Sequence, residues 1–527
     1  MKNITWKKRL AALLVTGCMA VSLAACGGGD DAQGNTDGSS SAGEGKLFTE
    51  PTEISMVIQS HVSWPYQEDW IIWDRFEELT GATFNVQAFP NENFMTKLNL
   101  MMASSAKDLP DLIYSDTKGK INSFASTGAL VAIDDYIDMM PNYTAFWNTI
   151  PEEERDLRLN QRKHSDGKTY FPQNYGTDEV QGLRNWLYRK DVFEKHNLEV
   201  PTTMEEVYET AKELKALYPD SYPFCLRQGL TNVNVMGASW KPYFNYGAYY
   251  DFDNETWSYG VTEPTMLEMV KYMRRMMEDK LIPPTWLDND AKSWEELMST
   301  DRGFITCDYT VRVDFFNIPN RETNPDYTLA PFIPPKADSP TATNMMNKFN
   351  VDGKGYVIVN TGDEKRINNA IKLVDWLYTD EAEQMVWGRE GESYEVKEDG
   401  SKAYIRTASG NIQADYGVLS FGTFLRADPA AARDLASAEQ QVAVDMYLEH
   451  VVDGYNPVHW LVFTSEEQDK FNEINDSLTP YVEQMLHKYL LGDEPISTWD
   501  KFVKDIKDNY RVDEFIDIYA KAYDRVK

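Results

Sequence analysis

The chain has 527 residues, 42% of them hydrophobic, with 84 acidic against 52 basic side chains and a formal charge of −32. That length supplies two or three globular domains with substantial cores. So much negative charge repels phosphate backbones, excludes nucleic acid as a partner and argues against a broad electrostatic grip on anionic lipid or polyanions.

Lys2, Lys7, Lys8 and Arg9 precede an apolar segment from Leu10 to Leu23, which runs into Leu23-Ala24-Ala25-Cys26. A positive start, a short apolar core and small residues before a cleavage point make a secretory leader. About 14 apolar residues are too few to cross a bilayer. The order of these features resembles the lipobox of bacterial lipoproteins. That resemblance implies a diacylglyceryl group on the Cys26 thiol, cleavage before it, and a membrane contact through the lipid anchor on the extracellular face. At roughly 0.8 kcal/mol per buried methylene, two acyl chains hold such a protein firmly. The expected division is therefore 1–25 signal peptide and 26–46 flexible tether. Residues 27–46 are Gly, Ser, Asp and other small polar types with nothing to bury, so they read as a coil reaching about 25 Å. The leader carries four positive and no negative side chains, which leaves the mature form near −36. Beyond Cys26 only Cys225 and Cys307 remain, too few for a disulfide framework or a zinc cluster. They are left open as a pair or as two buried thiols.

The folded part begins with a strand-like run, Ile54 to Ile58, and then a helix with Ile72, Trp73, Phe76 and Leu79 on one face before Gly81. A strand over 83–89 follows, then a helix carrying Phe94, Leu98, Leu100 and Met101, then a strand over 109–114 that starts through Pro110. The order β-α-β-α-β predicts a parallel sheet with covering helices. Ligands of such sheets sit beyond the carboxyl ends of the strands, which nominates Ser60, His61, Trp64 and the Tyr114-Ser115-Asp116 turn. Further on, Thr202 or Thr203 with Glu205 or Glu206 caps a helix whose Val207, Ala211 and Leu214 face inward. Residues 354–360 read as a strand, and Ile367, Ile371, Val374 and Leu377 as a helical stripe.

Asp108-Leu109-Pro110-Asp111-Leu112-Ile113-Tyr114 and Gly128-Ala129-Leu130-Val131-Ala132-Ile133-Asp134-Asp135-Tyr136-Ile137 resemble two motifs of family 1 extracellular solute-binding proteins. So do Leu187-Tyr188-Arg189-Lys190-Asp191 with Pro201-Thr202-Thr203, Trp387-Gly388-Arg389-Glu390-Gly391 with Tyr394, and the closing Leu490-Leu491-Gly492 and Ser497-Thr498-Trp499-Asp500. The resemblance spans nearly all of residues 50–527. It implies a two-lobe α/β clamshell of the periplasmic-binding-protein-like type II, with discontinuous lobes at 47–175 plus 347–405 and at 176–346 plus 406–527. It also implies a carbohydrate ligand, the permease subunits of an ABC transporter as partners, and a monomer. Some relatives insert a calcium loop after the Pro-Thr-Thr helix. Here Leu217 to Pro223 lacks the ladder of oxygen ligands, Asp288-Asn289-Asp290 lacks the central glycine, and no calcium is expected.

A pyranose offers one face of C–H groups and a rim of hydroxyls, so its receptor needs flat apolar rings beside planar hydrogen-bonding groups. Aromatics are 13% of the chain, and several sit in polar, turn-rich surroundings. Trp64, Tyr66, Trp186, Trp240, Tyr243, Tyr309 and Trp460 are nominated on that ground, with His61 and Asp116 from the strand ends. Each has packing between helices as its plain alternative, and for a lone histidine a satisfied structural role is the commoner one. Trp73 and Trp376 lie on apolar helical faces and are expected in the core. The six histidines are scattered without metal-binding spacing. No nucleophile elbow, P-loop or dinucleotide fingerprint occurs, and with 84 carboxylates a glycosidase-like pair decides nothing. No catalytic residues, metal or cofactor are therefore expected. A surface glycoside hydrolase or lyase, and a receptor for peptides or another non-sugar solute, are the rival readings.

Overall fold

Residues at the start of the folded chain make one strand, over 52–60, covered on both faces and an edge strand, over 82–90, covered mainly on one. In chain order the strands are β1 (Thr52–Ser60), β2 (Ala82–Pro90), β3 (Leu112–Ser115), β4 (Arg184–Arg189), β5 (Ala248–Asp251), β6 (Thr256–Tyr259), β7 (Ile305–Tyr309), β8 (Leu329–Phe332), β9 (Gly355–Ile358), β10 (Tyr394–Val396) and β11 (Lys402–Tyr404). The structure, a computed structural model, describes residues 45–525 except 62–63, 106–107, 116–120, 122–123, 161, 165, 178–181, 289–290, 349–353, 455, 460 and 462. The leader, Cys26 and most of the tether lie outside the described residues, as do Asp116 and Trp460. No described helix is long and apolar enough to cross a membrane.

The first sheet has the order β2-β1-β3-β9, with β1 parallel to both neighbours and β9 antiparallel to β3. Successive side chains leave opposite faces. Ile54, Met56 and Ile58 join one core with Leu112, Tyr114, Tyr356 and Ile358, whereas Val57 joins the other with Ile113, Val357 and Val359. The helix Ile71–Thr80 buries Ile72, Trp73 and Phe76 and stops at Gly81, whose N–H bonds the Glu77 carbonyl at 2.8 Å with φ at 75°. In the helix Phe94–Met102 only Phe94 and Leu98 are buried. Leu100, expected on the same stripe, is 72% exposed because it lies two residues past Leu98, on the far side of the turn.

The second sheet is antiparallel, β7-β4-β8, and its main core draws on residues 183–346 and 444–519. Thr203 accepts from the Glu206 N–H while the Glu206 carboxylate accepts from the Thr203 N–H, a capping box on the helix Met204–Leu217. Val207, Ala211 and Leu214 are buried as expected. Cys225 and Cys307 are buried free thiols, and burial pushes both up in pKa.

The core assignments correct one expected boundary. Residues 406–432, expected in the second lobe, pack in the first, with Ile412, Val418, Phe424, Leu425 and Ala432 buried in its core. Trp70 Nε1 donates to the Ala414 carbonyl at 2.7 Å, and the Tyr356 hydroxyl donates to the Gly422 carbonyl, so this stretch seals the first sheet. Core membership changes between Tyr175 and Leu183, between Met346 and Tyr356, and between Ala432 and Ala443. At the first passage Tyr175 N–H bonds the Leu425 carbonyl and Ala427 N–H bonds the Tyr175 carbonyl. The next residue, Gly176, has φ of 94°, and a Cβ there would stand 2.1 Å from the Ala427 oxygen, so only glycine passes.

The family-like motifs turn out to be fastenings. Asp111, 4% exposed, accepts from Ser55 N–H at 2.8 Å, Ser55 Oγ at 2.7 Å and Arg366 Nε at 2.7 Å. Arg366 Nη2 reaches the Leu109 carbonyl at 2.6 Å. Arg189 pairs with Asp191 through two bonds of 2.8 and 2.7 Å and lies over the Tyr327 ring at 4.0 Å. Replacing Asp111 with alanine strands the Ser55 N–H and the Arg366 guanidinium together. Since Arg366 is partly solvated, the expected loss is about 3 kcal/mol, read as a lowered urea midpoint followed by circular dichroism.

Candidate ligand-binding faces

Two polar and aromatic faces lie at the ends of the two sheets through which the chain crosses. On the first lobe the parallel strands β1, β2 and β3 end together at Ser60, Pro90 and Ser115, and β9 starts beside Ser115. Just past β1 the His61 and Trp64 rings stack at 3.6 Å with 15° between their planes, and both meet the edge of Phe421, at 5.8 and 6.5 Å. Lys354 Nζ sits 4.8 Å from the centroid of the Phe421 ring. The Gln59 amide donates to the Asn91 side chain at 2.5 Å. Among the described residues, the buried Trp64 Nε1 and Ser115 Oγ meet no hydrogen-bond partner. Buried polar groups are nearly always satisfied, and at strand ends such groups suit a ligand.

On the second lobe, Arg184 opens β4 opposite Tyr309, the last residue of β7. Arg184 Nη2 donates to the Tyr309 hydroxyl at 2.7 Å, and its guanidinium lies 4.4 Å over that ring. Asp308 is 1% exposed and ion-pairs with Arg227 at 2.8 Å and Arg312 at 3.3 Å. The Thr310 N–H bonds the Leu183 carbonyl at 2.9 Å, which ties this corner to the incoming passage. The second passage reaches the same end of the first sheet, where Asn174 N–H bonds the Lys354 carbonyl at 2.7 Å.

The nominated residues divide accordingly. His61 and Trp64 come together at the first face, and Tyr309 stands at the second. Tyr66 is at the margin: its N–H bonds Ser60 Oγ at 3.0 Å, but its ring packs against Trp70 and Trp73. Tyr243, half-buried, packs on Phe252 at 5.0 Å, with its pKa pushed up to about 12 by burial first and then by Asp253, Asp453 and Asp251. Two nominations are corrected. Trp186 is fully buried, stacked on Phe224 at 5.6 Å, because both faces of the central strand β4 are covered. Trp240 is 3% exposed against Tyr272, and its carbonyl is held by Thr341. Asp116 and Trp460 lie outside the described residues. Sequence reasoning missed Phe421, Lys354, Arg184, Arg227 and Arg312, which come from five separate stretches and share no local spacing. Trp73 and Trp376 are core residues, as their helical faces indicate. Among the described residues no three His, Cys, Asp or Glu side chains are grouped to hold a metal. A recess of about 370 Å³ beside Ser55, Asp111 and Arg366 flanks the amino-terminal halves of β1 and β3, away from these faces.

Two α/β lobes built from interleaved stretches make the two-lobe, type II periplasmic-binding-protein-like architecture. The profile described as bacterial extracellular solute-binding protein matches residues 67–384, so the chain belongs to that family and is extracellular or periplasmic. It is similar to the polygalacturonan/rhamnogalacturonan-binding protein YtcQ of Bacillus subtilis strain 168, 23% identical over 459 residues, covering 81% of this chain and 83% of YtcQ. The fold is similar to the crystal structure of the alginate-binding protein AlgQ2 without calcium ion, with a TM-score of 0.70 at 20% identity over 91% of this chain and 99% of that one. It is also similar to an EF-hand mutant of the S. pneumoniae ABC-transporter substrate-binding protein FusA in complex with fructo-nystose. That match has a TM-score of 0.70 at 18% identity, over 90% and 99% of the two chains.

Burial separates the tryptophans by experiment. Trp186→Ala and Trp240→Ala should each cost about 3–5 kcal/mol of stability in urea denaturation, and Trp64→Ala, at a partly buried ring, less, about 1–2 kcal/mol.

Proposed function

We propose that this protein is a lipid-anchored extracellular receptor that captures an oligosaccharide between its two lobes and delivers it unchanged to the permease of an ABC transporter. The observation that carries the reading is the pair of faces at the crossing ends of the two sheets. One offers the stacked His61 and Trp64 rings edged by Phe421, the other the Tyr309 ring beside forked guanidinium donors. Flat apolar surface with planar donors beside it is the chemistry a sugar ring requires. Similar proteins are named for binding polygalacturonan and alginate, and another is seen in complex with fructo-nystose, which supports a saccharide.

Binding drives closure without bond breaking. A ligand touching one lobe in the open form and both in the closed form shifts the equilibrium by its differential affinity, and the closed form is what the permease reads. Leu23-Ala24-Ala25-Cys26 supports anchoring through Cys26.

Calorimetry across glycan and peptide panels should give saturable heat with glycans alone, the bound glycan should be recovered intact by chromatography, and the radius of gyration in solution scattering should fall on binding. Heat from peptides only, or glycan fragments in the eluate, overturns the reading. Cys26→Ser should move the protein from the membrane fraction to the soluble fraction, and retention in the membrane would rule out the lipid anchor.

A further inference from the structure

The chain leaves the second face through Thr310 and Val311 into a helix, Arg312–Asn320. Val313 and Phe316 of this helix are buried in the smaller second-lobe core, and Asp314 accepts from the Ser437 N–H at 2.9 Å at the third passage. The side left outside is apolar: Val311, Phe315 and Ile318 are 46%, 37% and 38% exposed. Side chains at i, i+4 and i+7 share one stripe of a helix, here about 10 Å long. Exposed apolar residues such as Leu100, Val200 and Leu491 stand singly and need no explanation, whereas a stripe of three does.

The stripe joins the two candidate faces. Its near end follows Tyr309. At its far end a Cβ on Gly410, a first-lobe residue, would stand 2.7 Å from Ile318 Cδ1, so the loop 405–411 rests on Ile318. Gly410 leads through Asn411 into the short helix Ile412–Tyr416, whose Ala414 carbonyl accepts from Gln67 Nε2 at 3.0 Å and Trp70 Nε1 at 2.7 Å. Gln67 and Trp70 follow His61, Trp64 and Tyr66 in the chain. From Trp64 round to Tyr309 the wall is therefore continuous, and Val311, Phe315 and Ile318 are its apolar section. Polar groups border it. The Thr407 and Ser409 hydroxyls lie 3.2 Å apart and both reach Asp415, and the Arg312 guanidinium, held by Asp308, stands 4.6 Å from the Phe315 ring centroid. Apolar surface bordered by hydroxyls and a planar cation suits the C–H face and hydroxyl rim of a sugar.

We infer that Val311, Phe315 and Ile318 form sugar subsites between the two faces, so that the receptor selects oligosaccharides of about four or more units over mono- and disaccharides. This rests on the proposal that the cargo is a saccharide. A stripe of about 10 Å spans roughly two sugar rings, and each face takes one more. A partner protein would cover an apolar stripe from outside, whereas this one runs from one lobe's face to the other's, where the cargo lies.

The test is calorimetry on the full-length protein with the monomer-to-hexamer series of malto-, cello-, xylo-, manno- and galacturono-oligosaccharides, weak short members being measured by displacement of a longer one. In at least one series affinity should climb about tenfold or more from disaccharide to tetramer and then level off. Phe315→Ser should remove most of that gain while leaving the disaccharide affinity within about twofold, and Phe315→Tyr, which keeps the ring, should retain it. The length ratio is insensitive to a general loss of folded protein, and Val311→Ser, which should remove part of the gain, serves if Phe315→Ser fails to fold. A series flat from the disaccharide upward overturns the inference. So does a loss in Phe315→Ser that is equal at every length, the result expected of a contact that acts on lobe closure alone. Binding confined to mono- and disaccharides overturns it while leaving the saccharide reading intact. Silence across every series overturns the saccharide reading itself.

Discussion

The buried carboxylate of Asp111 is the fastening on which the first lobe depends. It joins β1 through Ser55 and the helix Glu364–Trp376 through Arg366, from its place at the start of β3. These pieces are separated by about two hundred and fifty residues of chain, most of which folds elsewhere. A sheet assembled from such distant segments carries a large loop-closure cost. An ion pair with its backbone hydrogen bonds satisfied gives the meeting point one geometry, where apolar contacts alone would tolerate several. Arg189, tied to Asp191 and laid over Tyr327, does the same for the second lobe.

Because each lobe is closed in this way, the passages between them become the places where geometry can change. All three leave the first lobe or reach the second near the strand ends that carry the candidate faces. Tyr175 and Lys354 attach on one side, and Leu183 and the Ser437 cap, which bonds Asp314, on the other. Closure of a two-lobe protein is carried by a few residues that absorb the backbone change. Gly176 cannot be one that moves freely, since its close approach to Ala427 locks it to the first lobe.

The candidate faces were legible only where they coincided with strand ends. His61 and Trp64 follow β1, and the rule that ligands meet the carboxyl ends of parallel strands finds them without a structure. Tyr309 was nominated for its polar neighbour Asp308, which proves to be the carboxylate at the centre of the arginine cluster. The same argument failed for Trp186 beside Asn185, because both residues are buried on opposite faces of the central strand, with Asn185 bonding its own neighbour's N–H. Polar neighbours mark a surface only when one face of the strand is open, and coverage is not a property of the strand's own sequence. Phe421 escaped notice for the related reason that 406–432 is expected in the second lobe while packing in the first.

By itself the sequence determined the parallel β-α-β-α-β start, the capping box at Thr203 and the family, because each is written in residues close together in the chain. Local spacing fixes strands, helices and caps, and the fastening motifs recur in order along it. Only the tertiary structure decided which tryptophans are core, where 406–432 belongs, and that Arg184, Arg227 and Arg312 gather round Asp308. Those outcomes depend on which distant segments share a sheet end, a matter of long-range packing that no local pattern encodes.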